Sequence, residues 1–321
     1  MHILCVTPNV SVDRTLLVPG FAAGGVWRAE EVSAGCGGKG VNVARAVVAL
    51  GHRATCVGML GGHTGRLAAE SAAAEGLDAQ WTWTGSETRT CVIIVGSNGA
   101  ASVINEPGYA ISAADWERFA DAVAAATCND VDAVCISGSL PPGAPDDALR
   151  SLIDRGGRQG CPVWLDASGA ALAEVMAQAP TAIPFGIKIN AQEAEVLVGQ
   201  PIASAQSAAI AAEAIRRRGA QSVAITLGAA GAVLVSDAAS LFARPPAIAA
   251  ISAVGSGDCF LAGLMMGWQE QGSPEDAFLL ATAAGAANAL RSTVGFSTAD
   301  VARILVETTL TSIDARYQGD G

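Results

Sequence analysis

Short apolar runs alternate with alanine-rich helical stretches from about residue 40 onward, and this alternation constrains the fold more than any other feature of the chain. Residues 131–137, 162–166, 186–190 and 222–227 are each short and apolar along their length, the pattern of a strand buried on both faces. Residues 145–159 and 204–218, which lie between them, have the length and composition of helices. Strands that alternate with helices pair in parallel, so the expected architecture is α/β: a three-layer sandwich with a mainly parallel central sheet and helices on both faces. Ligands of such sheets bind beyond the carboxyl ends of the strands, which places function in the loops that follow them.

Two regions break the rhythm. Residues 9–34 and 88–105 alternate Thr, Val, Ile and Arg, the second around the turn Ser97-Asn98-Gly99, and read as a small β lid outside the main sheet. No internal repeat or low-complexity linker is evident, and the alanine-rich stretch 203–214 is more simply a helix than a linker. The 321 residues are therefore expected to form one domain with a β appendage.

Half of the residues are hydrophobic and 15% are charged, as in a packed globular chain. A formal charge of −11 argues against nucleic acid as a partner, because phosphate backbones require a basic surface. Small phosphorylated ligands stay open, since a few local donors and helix N-termini can hold them. The eight cysteines include no CxxC pair, and several lie in apolar runs such as Ala133-Val134-Cys135-Ile136. They read as buried reduced thiols, which points to a cytoplasmic protein. The first six residues, Met1 to Val6, read as a strand and not as a signal peptide, and Asp258 interrupts the most apolar late stretch, so no membrane span is expected. His2, His52 and His63 are the only histidines, which leaves little for a histidine triad or a zinc site.

Chemistry concentrates in two glycine-rich strings. Gly255-Ser256-Gly257-Asp258 leads directly into the apolar helix that begins Cys259-Phe260-Leu261. The free N–H groups of Gly255, Ser256 and Gly257 would face an anion at the positive end of that helix. Asp258 could take a proton from a substrate hydroxyl there, while the bland reading makes it a helix cap. The second string is Gly35-Cys36-Gly37-Gly38-Lys39-Gly40-Val41-Asn42. It satisfies GxGxxG, but residues 28–34 make a poor buried strand and no acidic residue follows about twenty positions on. It also fails as a Walker A loop, because Gly40 stands where Ser or Thr is needed. A bare glycine turn, a lysine and Asn42 at a helix start remain, suited to close approach of a polar ligand.

Together the two strings resemble the GGKGxN and GAGD segments of the ribokinase-like (PfkB) carbohydrate kinases, and the similarity runs along nearly the whole chain. Thr7-Pro8-Asn9-Val10-Ser11-Val12-Asp13-Arg14, Ser137-Gly138-Ser139-Leu140-Pro141-Pro142-Gly143 and Asp166-Ala167-Ser168-Gly169 look most like the branch that acts on hexose phosphates, which includes 1-phosphofructokinase and tagatose-6-phosphate kinase. The resemblance implies a single ribokinase-like kinase domain over residues 1–321. Its implied ligands are ATP, Mg2+ and a small-molecule sugar phosphate, with potassium left open. Asp258 is then the general base, with Gly255, Ser256 and Gly257 at the developing charge. Asp13 hydrogen-bonds sugar hydroxyls from the lid side, and Gly38, Lys39, Asn42 and Ser139 belong to the sugar pocket. Lys39 and Arg89 are candidates for the substrate phosphate, and Arg28 for a neighbouring subunit's site, against the alternative that each is a solvated surface charge.

On the nucleotide side, Lys188-Ile189-Asn190-Ala191-Gln192-Glu193 is similar to the family's KPNxxE segment. Asn190 and Glu193 then position magnesium through water, although the same pair can serve as a capping box at a helix start. Thr226, Gly228 and Gly231 match the loop at the nucleotide phosphates and ribose, and Asn288 is expected to face the adenine. The sequence departs from the family pattern at Ile189, Ser256, Ala253 and Cys36; Ala253 removes one polar group near the nucleotide or a monovalent-cation site, and none of the four disables the implied chemistry. Exposed edges of the lid suit a homodimer. A kinase for an unphosphorylated sugar or nucleoside, a silent sugar-phosphate sensor and a nicotinamide-dependent dehydrogenase are the rival readings.

Overall fold

The computed structural model describes residues 1–96, 101–127, 130–167, 169–177 and 184–316. The turn expected at Ser97-Asn98-Gly99, Cys128 and Ser168 lie outside the described residues. In chain order the first elements are β1 (His2–Thr7), β2 (Ser11–Leu17), β3 (Glu31–Gly37), α1 (Lys39–Ala49), β4 (Arg53–Gly61), α2 (Gly62–Ala74) and β5 (Asp78–Thr84). Next come β6 (Arg89–Val95), β7 (Ala101–Asn105), α3 (Ala113–Ala126), β8 (Ala133–Ser137), α4 (Ala148–Gly156), β9 (Val163–Asp166), α5 (Gly169–Ala177) and β10 (Gly186–Asn190). The chain then runs through α6 (Ala191–Val198), α7 (Ala205–Arg216), β11 (Ser222–Thr226), β12 (Ala232–Ser236) and β13 (Ser240–Arg244). It finishes with α8 (Ser256–Gln271), α9 (Pro274–Asn288), α10 (Thr298–Glu307) and β14 (Thr309–Ser312).

Ten strands form the central sheet in the order β14-β13-β12-β11-β10-β9-β8-β1-β4-β5. The seven from β11 to β5 are mutually parallel, as their uninterrupted apolar sequences require. Among the described residues the antiparallel pairings of this sheet are β11–β12 and β12–β13, both between strands adjacent in sequence, and β13–β14, which brings the end of the chain back to that edge; the sequence did not announce them. The chain lays down β4 and β5 on one side of β1 and β8 to β11 on the other, so the strand order reverses beside β1. Such a reversal opens a crevice at the carboxyl ends of the strands.

Alternate side chains of β1 show why the sheet is covered twice. Leu4 and Val6 enter a core with Trp116 and Phe119 of α3 and Leu152 of α4. Ile3 and Cys5 enter a second core with Val41 of α1, Leu261 of α8 and Phe278 of α9. Each large side chain so buried contributes about 1.5–3 kcal/mol, and the cores together fix the three layers. The described cysteines are unpaired, and all but Cys161 are buried. Burial pushes their thiols upward, to about 12 in Cys36 and Cys56. No helix of the described residues is long and apolar enough to cross a membrane.

The two regions expected outside the main sheet form a separate four-stranded sheet, ordered β3-β2-β6-β7. Its boundary differs from the expectation, because β3 runs on to Gly37, well into the glycine string. A side chain at 37 would collide with Asp13, its Cβ falling 2.1 Å from the Asp13 carboxyl carbon, so this glycine serves close strand approach and not a turn. The helix expected over 145–159 is shorter. It begins after a turn in which Ala148 N–H donates to the Pro145 carbonyl, and it stops at Gly156 and Gly157, poor helix formers.

Candidate active site

The loops at the carboxyl ends of β8, β10 and β11, the inner face of the small sheet and the starts of α1 and α8 enclose a cavity of about 1030 Å³. Among the residues that line it is Asp258, in the first turn of α8 and only 5% exposed. Helix α8 starts abruptly because Gly255 holds φ at 78°, a left-handed conformation that a side chain there would strain. Asn42 of α1 donates from Nδ2 to Asp258 Oδ2 at 2.8 Å. Burial, and then the charge of Asp166, pushes the Asp258 carboxyl up to about 6, against the pull of Lys188, Lys39 and the Asn42 hydrogen bond. A carboxylate raised to that range is suited to accept a proton near neutrality.

The amides at the glycine turn are fewer than expected. Ser256 N–H donates to the Ala253 carbonyl at 3.1 Å, closing the turn, so it is not available to an anion. Gly255 and Gly257 N–H have no acceptor among the described residues. Lys188 makes up the loss: a Cβ at Gly257 would lie 2.5 Å from its Nζ, so glycine here admits an ammonium against the backbone. Lys188 is nearly buried, and its Nζ donates to Asp166 Oδ2 at 2.7 Å.

Asp166 ends β9 and is fully buried, with Lys188 on one carboxylate oxygen and Lys39 on the other at 2.6 Å. Burial alone would raise Asp166, but Lys188 and then Lys39 outweigh it and hold the carboxyl below its ordinary value. Lys39 lies above its own, since Asp166, Glu193 and Asp258 together outweigh its burial. Its Nζ is also 3.5 Å from Glu193 Oε1. Lys39 therefore lines the cavity with its ammonium held between the carboxylates of Asp166 and Glu193.

Asn190 and Glu193 form the capping box of α6, each side chain accepting the other's backbone N–H at 2.9 Å. The box uses one oxygen of Glu193 and leaves Oε1 toward the cavity that both residues line. No group of three or more His, Cys, Asp or Glu among the described residues could hold a metal alone. Glu193 Oε1 is an oxygen donor facing the cavity, a type that would suit a hard cation keeping most of its water.

On the inner face of the small sheet Asp13 accepts from Ser11 Oγ at 2.6 Å. Arg89 donates from Nε to the Asn9 carbonyl at 3.2 Å and from Nη1 to the Glu106 carbonyl at 3.0 Å. Asn9 donates to Ser139 Oγ at 3.2 Å, which links the loop after β8 to the same pocket.

The carbohydrate kinase model described as the pfkB family matches residues 1–300 of this chain. The chain belongs to the pfkB family of carbohydrate kinases. It is 34% identical to 1-phosphofructokinase of Xanthomonas campestris pv. campestris over 265 residues, 82% of this chain and 83% of that one. It is 30% identical to 1-phosphofructokinase of Escherichia coli strain K12 over 298 residues, 92% and 93% of the two chains. Phosphofructokinase-2 of Escherichia coli, solved in complex with substrates and products, superposes with a TM-score of 0.86 at 28% identity, covering 95% of this chain and 99% of that one.

For this pfkB-family kinase the structure gathers Asp258, Gly255, Ser256, Gly257, Asp13, Gly38, Lys39, Asn42, Arg89 and Ser139 around the cavity. Lys188, Asn190, Glu193, Thr226, Gly228 and Gly231 line it as well. Asn288 does not, and its expected place at the adenine is corrected. It is 1% exposed, with Nδ2 donating to the Val254 carbonyl and Ser256 Oγ, and Oδ1 accepting from Gly295 N–H. Its role is to brace the turn before α8, while Ala286 and Ala289 of the same segment line the cavity. Arg28 is exposed in the loop after β2 and does not line it. The sequence reading missed Asp166 as the partner of both lysines and Arg244 at the cavity wall. Asp166 had a signal, a charged residue closing an otherwise apolar strand, whereas Arg244 had none.

Proposed function

We propose that this chain transfers the γ-phosphoryl group of ATP to a hydroxyl of a phosphorylated ketohexose, with Asp258 as the general base. One observation carries the reading. Asp258, raised to about 6, lines the same cavity as both glycine strings, beside two lysines and the unpaired Gly255 and Gly257 amides. The names of the relatives favour fructose 1-phosphate as acceptor, ahead of fructose 6-phosphate and tagatose 6-phosphate.

Asp258 Oδ1, the carboxylate oxygen not held by Asn42, takes the proton of the attacking hydroxyl. Lys188 and the Gly255 and Gly257 amides lie where negative charge grows on the transferring group, and Lys39 reaches it from the other side. Asp13 orients the sugar hydroxyls and Arg89 holds the far phosphate, which fixes the acceptor for in-line attack. Thr226, Gly228 and Gly231 face the nucleotide. A magnesium ion held through water by Asn190 and Glu193 would screen the charge of the nucleotide phosphates.

The small sheet acts as a lid that excludes water from the reaction. Its β3 and β7 edges are exposed, with Val32 and Ile104 uncovered, and they favour a homodimer formed through the lid. Light scattering at micromolar concentration should give twice the chain mass, and a monomer would sink that part.

The decisive experiment measures ADP release with fructose 1-phosphate, fructose 6-phosphate, tagatose 6-phosphate, fructose and ribose, in the wild type and Asp258→Asn. Turnover of one phosphorylated sugar that the variant loses by about 10²–10⁴-fold is the expected result. Turnover of free sugars alone would overturn the acceptor class, and an active Asp258→Asn would overturn the base.

A further inference from the structure

Behind Asn42 stands a side chain that the chemistry above does not use. Arg45 lies three residues further along α1, on the same helix face, and points Nη1 at Asn42 Oδ1 across 2.9 Å. The rest of its guanidinium is committed elsewhere. Nε and Nη2 fork onto the Glu75 carboxylate just past α2, at 2.5 and 2.9 Å, and Nη2 also donates to the Cys36 carbonyl near the end of β3 at 2.5 Å. Ser71 Oγ closes the cluster, accepting from Cys36 N–H at 3.2 Å and donating to Glu75 at 3.3 Å.

The two ends of an amide are not equivalent: the oxygen only accepts and the nitrogen only donates. Arg45 has nothing but donors, so whatever it holds of Asn42 must be the oxygen. The amide nitrogen is then turned toward Asp258 Oδ2, where it stabilises the carboxylate and leaves Oδ1 for the acceptor hydroxyl. With the amide reversed, its oxygen would face the carboxylate, lone pair against lone pair.

We infer that Arg45 is a positioning residue for the phosphoryl transfer: by holding Asn42 Oδ1 it aims the Asn42 amide at Asp258 and so orients the base. The inference rests on the reading of Asp258 as that base. The same guanidinium ties this chain of contacts to the root of the small sheet through Cys36. Asp258 also faces Asp166 from β9, Lys188 from β10, Lys39 from α1, and the buried thiols of Cys135 and Cys259. All of these remain when Arg45 alone is replaced.

The test compares wild type, Arg45→Met, Arg45→Lys and Asp258→Asn as full chains, measuring kcat and KM from pH 5 to 9 with the ketohexose phosphate that the wild type turns over. Arg45→Met is expected to lose about tenfold in kcat at pH 8, with KM for ATP within about twofold, as removal of a charge-assisted contact predicts. Its acid limb should move upward by about half a pH unit or more, because the carboxylate loses a donor. Arg45→Lys, which can still donate to Asn42 Oδ1, should recover most of both effects. An Arg45→Met enzyme that melts earlier yet keeps the wild-type kcat and acid limb would make Arg45 a structural brace and overturn the inference. Where Arg45→Met does not fold, Asn42→Ala removes the amide that Arg45 aims, and an unmoved acid limb there leaves nothing for Arg45 to orient and overturns the inference equally. An active Asp258→Asn would instead overturn the base, independently of Arg45.

Discussion

Replacing Asp258 with asparagine should make the protein harder to unfold while removing its turnover. The carboxyl is buried and faces Asp166, and its pKa rises to about 6. An unperturbed aspartate titrates near about 3.9, and each pKa unit is worth about 1.4 kcal/mol, so keeping this group ionised costs the fold about 3 kcal/mol. Because the folded value is the higher one, the cost is fully present above pH 6, shrinks as pH falls through 6, and is gone below the unfolded value. About half of it remains at pH 5. Asparagine keeps the shape and an acceptor for Asn42 without the charge, so at pH 8 it should recover up to about 3 kcal/mol. For a chain of 321 residues that corresponds to a melting temperature higher by on the order of 4 °C. Ligand-free thermal melts at pH 8 and pH 5 are the assay, paired with the ADP-release measurement. A variant that melts at or below the wild-type temperature at pH 8, or a gap that does not narrow by pH 5, would refute the burial argument.

The same pKa sets the acid side of the reaction: kcat should fall about tenfold per pH unit below about pH 6, and a limb near pH 4 would mean that Asp258 is better solvated than its surroundings indicate. Arg89→Met should raise KM for the phosphorylated acceptor by about 10–100-fold and leave KM for ATP alone, as steady-state kinetics with each substrate varied will show. Glu193→Gln keeps an oxygen for the Asn190 N–H but loses the charge toward the cavity; it should need about 10–100-fold more magnesium for half-maximal rate with little change in the urea midpoint. Gly267→Val should cost about 1–3 kcal/mol in urea unfolding, because a Cβ there meets Ala277 Cα at 2.5 Å.

What the sequence disclosed follows from how strongly each residue is constrained. A strand buried on both faces must be apolar throughout, so β8 to β11 could be located within one or two residues. Asn190 and Glu193 were legible because capping and cavity lining use the same two side chains. Asn288 was misplaced for the opposite reason. Helix α9 is packed on several sides by small residues, so its sequence carries no stripe that says which face meets the cavity. Lys39 lines the cavity, but nothing local to it reveals that Asp166, 127 residues away, holds its ammonium. The amide count at the glycine turn failed because a motif does not show which N–H the turn itself consumes, and Ser256 gives its own to Ala253.

Helix α8 meets α9 almost backbone to backbone: side chains at Gly263 and Gly267 would lie 2.9 and 2.5 Å from the Cα atoms of Ala281 and Ala277. Two helices seated that closely have no soft layer of side chains between them along which either could slide. The end that carries Asp258 is thus a fixed jaw, aligned before any substrate arrives. The travel needed to grip an acceptor then falls to the opposing jaw, the four-stranded sheet with Asp13 and Arg89 on its inner face. Changes that slow the reaction by hampering movement should cluster in that sheet and its connections, and changes along α8 beyond its first turn, which carries Asp258, should act through stability instead.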